Sequence, residues 1–191
     1  MLAKSTLLAC ALAAPFFAPA VLKAGNHDHG LAGHSMKARE VSQKLAEFDS
    51  GAVALRQTLG RLETLTRTKK STWASHAFAL DEARGHINGL GRTLAELEAM
   101  RPYATELQSK AIAEARPRLV RIAALVESKI RALNEDSRIV IRPDYRQAAL
   151  SLYGQSDDLV RTVDTILDYK NARLRLEALE LRAQPSSGDG E

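Results

Sequence analysis

One stripe of residues between positions 73 and 97 limits what this chain can fold into. Its members recur at alternating steps of three and four, which places them on one face of an α-helix. The stripe consists of Trp73, His76, Leu80, Ala83, Ile87, Leu90, Leu94 and Leu97. A helix with such a face must pack against other helices, so this spacing favours a helical bundle.

Three further segments carry the same spacing. Their stripes are Val41, Leu45, Phe48, Ala52, Leu55, Leu59, Leu62 and Thr66; Ile112, Ala115, Leu119, Ile122, Val126, Ile130 and Leu133; and Tyr145, Ala149, Leu152, Leu159, Val163 and Ile166. No repeated β-branched strand pattern competes with them. Because short connections force neighbouring helices to run in opposite directions, the sequence predicts an all-α, antiparallel (up-down-up-down) four-helix bundle with long helices, after an N-terminal signal peptide.

A few positions interrupt these stripes. The Asp-Ser-Gly sequence at 49–51 predicts a bend or a break in the first helix, and Pro117 is expected to kink or split the third. We expect 139–141 to form an extended strap across one end of the bundle, and Asp144 to cap the last helix. For three glycines in the second helix, the expected use is close approach of a neighbouring helix: Gly85, Gly89 and Gly91.

Residues 1–24 have the pattern of a cleaved secretory signal peptide. Lys4 precedes an apolar run over 7–17, and signal peptidase sites follow Ala20 and Ala24. Cys10 ends a sequence similar to a lipobox, but the apolar run continues past it, so a lipid anchor is not expected. We predict a periplasmic or extracellular protein that meets the membrane only through this segment before cleavage. Without Cys10, the mature chain has no thiol for a disulfide or a nucleophile.

The segment 25–36 is a histidine-rich leader, GNHDHGLAGHSM. Its candidate ligands for copper, nickel or zinc are His27, Asp28, His29, His34 and Met36. Cleavage after Ala24 would leave a free amine with histidine in third place, an arrangement that binds square-planar Cu(II) or Ni(II). The alternative is a flexible polar leader whose histidines only titrate. A bundle domain is predicted over 37–183 and a disordered tail over 184–191.

The second helix holds the remaining histidines. His76 lies on the core-facing stripe one turn from Trp73, where it is either a neutral side chain bonded to a neighbouring carbonyl or hydroxyl, or an ion ligand. His86 follows Glu82 by one turn and forms with it a second candidate metal pair. Such pairs are more often surface contacts.

The last helix is predicted to be longer than its neighbours. Helical to Arg182, it would measure about 60 Å, against about 40 Å for the others. Beyond Ile166 its stripe moves to Leu167, Leu174, Ala178 and Leu181, while Leu176 and Leu179 point elsewhere. An overhang that is apolar on two sides favours packing against a protein partner or a second copy, with fraying or folding back as the alternatives.

The sequence offers little support for catalysis or nucleic-acid binding. The net charge of +4 is small, and the basic third helix is interrupted by glutamates, so no nucleic-acid partner is expected. The chain contains no Glu-x-x-His pair of the di-iron bundles, and nothing orients Ser75 and His76 as a catalytic pair. We therefore predict a non-enzymatic interaction or scaffold protein of the cell envelope without a cofactor. The alternative is a periplasmic metal-binding protein.

Overall fold

The computed structural model describes residues 30–183. Over this range the chain forms the long helices α1 (Gly30–Arg67), α2 (Trp73–Ala99), α3 (Glu106–Glu135) and α4 (Pro143–Ala183). Short 3-10 helices occupy Arg101–Tyr103 and Ser137–Ile141 in the connections, and no β-strand occurs in the described range. The all-α prediction is therefore confirmed.

The long helices pack in a ring, α1 on α2, α2 on α3, α3 on α4 and α4 on α1. Ion pairs give the relative direction of α1 and α2, because Lys44 in the first half of α1 meets Glu96 near the end of α2 at 2.7 Å. Further along, Arg61 meets Glu82 at 2.6 Å. As the residue number increases along α1, the residue number of the partner on α2 decreases. These two helices are therefore antiparallel.

Helices α1 and α4 run in opposite directions by the same criterion. Arg56 pairs with Asp157 at 3.2 Å, and Arg146, near the start of α4, donates to the backbone carbonyl of Thr66, near the end of α1. The N-terminal part of α1 and the C-terminal part of α4 therefore extend toward the same end of the bundle, which we call the open end. The opposite end, where α2 and α4 begin, is the capped end.

The predicted stripes form the core. Every stripe residue of α1 is buried, as is every one of α4, and the largest enclosed side chains include Phe48, Leu80, Ile122 and Leu159. Ile130 is only half-buried. Trp73 was predicted to face the core, but its side chain is 54% exposed. It is the first residue of α2 and lies at the edge of the capped end, so the buried stripe begins one turn later at His76.

Helix lengths differ from the expectation in α1. Helix α1 has 38 residues and α4 has 41, against 27 and 30 for α2 and α3. At 1.5 Å per residue, α1 and α4 both measure about 60 Å. Residues 30–36, assigned to a flexible leader, belong to α1, where the good helix formers Leu31, Ala32 and Met36 favour this conformation.

Glycines in the bundle are used differently from the prediction. The chain stays helical through 49–51, and a Cβ at Gly51 would lie 3.0 Å from the side chain of Leu90. Close approach therefore occurs at Gly51. It was predicted at Gly85, Gly89 and Gly91, where an added Cβ would have no atom within 4 Å. Those predictions were wrong because the three positions lie off the buried stripe of α2.

The connection before α4 is helical, although an extended strap was predicted. The carboxylate of Asp136 accepts a hydrogen bond from the backbone N–H of Arg138, and i to i+3 backbone bonds close the 3-10 turns. Ile139 is buried and Ile141 is exposed. Asp144 is not the cap of α4 but lies in its first turn, because the helix begins at Pro143, which has no N–H to leave unpaired.

Helix α3 starts with a reciprocal capping arrangement. The hydroxyl of Thr105 accepts from the backbone N–H of Gln108, whose side-chain oxygen accepts from the N–H of Thr105. Pro117 lies inside α3 without splitting it. None of the helices within 30–183 combines the length and hydropathy required to cross a bilayer.

Candidate functional site

Three of the five predicted metal ligands lie outside the described residues. His27, Asp28 and His29 lie outside the described residues, His34 belongs to the first turns of α1, and Met36 is exposed on the same helix. In the described part of the chain, no three His, Cys, Asp or Glu side chains come close enough to hold a metal ion. Metal binding by the leader therefore stays a prediction.

The pair of Glu82 and His86 contacts α1. The nearest oxygen of Glu82 lies 3.8 Å from Nε2 of His86, but the same oxygen accepts a 2.6 Å hydrogen bond from Arg61. This hydrogen bond is the main reason that the pKa of Glu82 is lowered. The carboxylate therefore holds α2 to α1, and a metal at this position would have to displace the guanidinium of Arg61.

An open groove of about 1180 Å³ lies over α1 beside these residues. The exposed ring of Phe78 on α2 forms one wall and Tyr153 on α4 forms the other. The ring of Tyr153 packs closely against α1 at Gly60. A Cβ at this position would lie 3.3 Å from the ring, so the absence of a side chain makes room for it. Of its cations, Arg56 pairs with Asp157 and Arg61 with Glu82, so the groove has little unbalanced charge.

His76 links α2 to α4 at the capped end. Its side chain is fully buried, with Nδ1 3.3 Å from the hydroxyl of Tyr145 and Nε2 3.3 Å from Oγ of Ser71. Ser71 donates its own proton to the carbonyl of Thr68. Oγ of Ser71 therefore accepts from Nε2–H. Because burial lowers the pKa of His76, the ring is neutral and its unprotonated Nδ1 accepts from the hydroxyl of Tyr145.

Burial lowers the pKa of His76 and raises the pKa of Tyr145. Both effects keep the pair uncharged at neutral pH, and the two rings also meet edge to face at 5.4 Å between centroids. The sequence left two alternatives for His76, a neutral side chain bonded to a carbonyl or hydroxyl and an ion ligand. The geometry corresponds to the first. Both ring nitrogens are engaged and the side chain is enclosed, so His76 serves to fix the capped end.

Two carboxyl groups face each other between α1 and α4, which the sequence did not predict. Burial and the neighbouring Asp164 raise the pKa of Asp49, although Arg56 opposes this effect. Oδ1 of Asp49 is enclosed and has no hydrogen-bond partner among the described residues. Each aspartate reads as an ordinary solvated residue of its helix, so only the pairing of helices reveals the contact.

Helix α4 changes character beyond Ile166. The core stripe would continue at Lys170 and Arg173, whose charges cannot join an apolar core. Among the side chains of this segment that the structure describes, the large exposed apolar ones are Tyr169, Leu176 and Leu179, each about 60% exposed. At the start of the segment, Tyr169 borders a second groove, of about 950 Å³, formed with the N-terminal turns of α1 and α3.

We call residues 143–166 the proximal segment of α4 and residues 167–183 the distal segment. Leu176 and Leu179 were noted from the sequence as lying off the shifted stripe, and the structure places both in solvent. Tyr169 was missed, although its position seven residues before Leu176 is a usable signal. The side chains of Leu167, Leu174, Ala178 and Leu181 lie outside the described residues.

Comparison with known proteins adds no relative. Searches against protein-family models, curated proteins and solved structures found no match. The functional assignment therefore depends on the residues themselves.

Proposed function

We propose that this chain is an exported, non-enzymatic helical bundle that works by binding a protein through the distal segment of α4. One observation carries the proposal. Three large side chains, Tyr169, Leu176 and Leu179, recur on one face of a helix and are each about 60% exposed. Large exposed apolar side chains that share one face are typical of protein-binding surfaces.

The buried polar side chains of the bundle stabilise the fold. Its six buried polar side chains in the described range include Thr66, Gln108 and Ser156, which hydrogen-bond within the fold. His76 is enclosed and bonded at both nitrogens. These groups stabilise helix packing and helix ends, whereas Leu176 and Leu179 of the distal segment each leave about 60% of their surface uncovered.

Export is supported by the pattern of residues 1–24, where a positive start, an apolar run and small residues at the cleavage sites follow in order. The mass of the mature chain tests this part. We expect a mature N-terminus at Val21 or Gly25, and a chain that retains residues 1–24 in the cell would contradict export.

Site-specific photo-crosslinking in the native host tests the binding surface. A photoreactive amino acid at Leu176 should give a crosslinked protein adduct, because this side chain lies in the proposed contact. Val120 on α3 is the matched control, since it is 61% exposed against 60% for Leu176. An adduct at Leu176 and none at Val120 supports the proposal. No adduct at Leu176, or equal adducts at both positions, contradicts it.

A further inference from the structure

We propose that the partner of the distal segment is the same segment of a second copy of this chain, packed in parallel and in register. The inference rests on the proposed function and specifies the partner. It is carried by the order of apolar and charged residues along the exposed face of α4, beyond the point where the bundle core ends.

The exposed face has the spacing of a two-stranded coiled coil. Tyr169, Ala172, Leu176 and Leu179 are separated by steps of three, four and three, and all four are exposed. In heptad notation Tyr169 and Leu176 take position a, and Ala172 and Leu179 take position d. We call these four residues the distal seam.

The charges beside the distal seam fit a parallel pair. In parallel coiled coils, the residue at position g approaches the residue at position e five places later in the other chain. Arg175 occupies g, and Glu180 of the second copy occupies the facing e position. One heptad earlier, Asp168 at g faces Arg173 of the second copy. All four residues are exposed in the single chain.

Both g-to-e contacts join opposite charges, and two-fold symmetry gives each contact twice. Turning one helix round would place g opposite g and e opposite e, which separates Arg175 from Glu180 of the second copy. The charge order therefore favours a parallel second copy. One sequence contains both the g residue and the e residue of each pair, so two copies of this chain complement each other.

The length of the distal seam sets the expected strength. From Tyr169 to Leu179 it covers about three helical turns. Two such short segments bury less surface area than a standard protein interface does. We therefore expect a reversible dimer with a Kd on the order of micromolar. The bundles themselves stay folded on both sides of the equilibrium, because their cores are complete without the seam.

Disulfide trapping tests the orientation. Cys10 is the only cysteine in the chain, so a Cys10→Ser background allows single cysteines to be placed in the full chain. Ala172→Cys and Leu179→Cys should each give an oxidised dimer, because identical d positions of a parallel pair lie within disulfide distance. An antiparallel pair can bring at most one of these positions onto itself. Val120→Cys is the control and should stay monomeric.

Charge reversal tests the pairing residues by sedimentation equilibrium. Arg175→Glu should weaken dimerisation about tenfold, since two attractive contacts become repulsive. The double variant Arg175→Glu, Glu180→Arg should restore the original Kd. Arg121→Glu, an equal charge change on the exposed face of α3, should leave it unaltered. A Kd that does not respond to Arg175→Glu, or that the double variant fails to restore, overturns the pairing.

These outcomes separate the inference from the proposed function. If the cysteines at 172 and 179 give no disulfide dimer while photo-crosslinking at Leu176 gives an adduct with a different protein, the parallel dimer is wrong and the binding function stands. If Leu176 gives no adduct and neither cysteine forms a dimer, both are wrong.

Discussion

The proximal and distal segments of α4 belong to one helix but differ in what surrounds them. In the proximal segment, Leu152, Leu159 and Val163 are at most 1% exposed and pack in the common core. In the distal segment, Leu176 and Leu179 are 60% exposed. The same residue type and the same helical spacing thus stabilise the fold in one half and leave an apolar face uncovered in the other.

The reason for the difference is the length of the neighbouring helices. Helix α3 has 30 residues against 41 in α4, so it cannot cover α4 along its whole length. Helix α1 is nearly as long as α4 and packs against it, but Tyr169, Leu176 and Leu179 remain exposed. Unequal helix lengths therefore leave part of the longest helix uncovered at one end, and in this chain the uncovered part carries Leu176 and Leu179.

The largest expected effect separates the two segments directly. Leu159→Ala should lower the free energy of unfolding by about 2–5 kcal/mol, because it leaves a cavity in an enclosed site. Leu179→Ala should change it by less than about 0.5 kcal/mol in dilute protein. Urea denaturation followed by circular dichroism measures both. Similar losses for the two variants would contradict the difference in environment.

The link at the start of α4 gives the next effect. Tyr145→Phe removes the hydroxyl that bonds Nδ1 of His76 and leaves this buried nitrogen unpaired. We expect a loss of about 1–3 kcal/mol in the free energy of unfolding. Tyr169→Phe, which removes the same hydroxyl from the distal segment, should cause almost no loss in dilute protein. Equal effects would show that the His76 contact contributes nothing.

The pH dependence of the free energy of unfolding tests whether His76 is neutral in the folded state. Because burial lowers its pKa in the folded state, the unfolded chain binds a proton more readily. The contribution of His76 is therefore complete above about pH 6.5, the ordinary histidine pKa, and falls as the pH drops toward the lowered value. Urea denaturation between pH 5 and 8 should show this loss in the wild type. His76→Leu should lack it, and parallel curves for the two proteins would be inconsistent with a neutral buried histidine.

The smallest effect lies at the junction of the two segments. Asp49 faces Asp164, and its pKa is raised in the folded state, so ionisation of Asp49 disfavours folding at neutral pH. Asp49→Asn should raise the free energy of unfolding at pH 7 by less than about 1 kcal/mol, since the site is partly solvated. The gain should shrink as the pH falls and wild-type Asp49 takes up its proton. A gain that is constant with pH would exclude the carboxyl pair as its cause.

Helix spacing predicted the proximal segment well and the ends poorly. Burial repeats every three or four residues inside a bundle, so Leu80 and Leu159 could be placed from the sequence. Trp73 has the same helical spacing, but the spacing does not show at which residue the buried core ends. Trp73 lies beyond that end and is exposed. Residues 139–141 were misassigned because the cap at Asp136 selects a 3-10 turn there, a local hydrogen bond that hydropathy does not reveal.

The candidate site was only partly predictable for a related reason. Leu176 and Leu179 could be recognised as lying off the core stripe, because that needs only the periodicity of α4. The contact of Asp49 with Asp164 depends on the alignment of two helices 115 positions apart in the chain, and the glycine contact of Gly51 with Leu90 depends on the same kind of alignment. Pairing of this sort becomes visible only when the helices are assembled.

Amide hydrogen exchange at several protein concentrations tests the central claim most directly, because one helix provides both the signal and its control. The account predicts that amides around Leu176 and Leu179 become more protected as the concentration rises through the Kd, while those around Leu152 and Leu159 exchange slowly at every concentration. Protection of the distal segment that stays constant over this range would contradict the proposal that a second copy covers it.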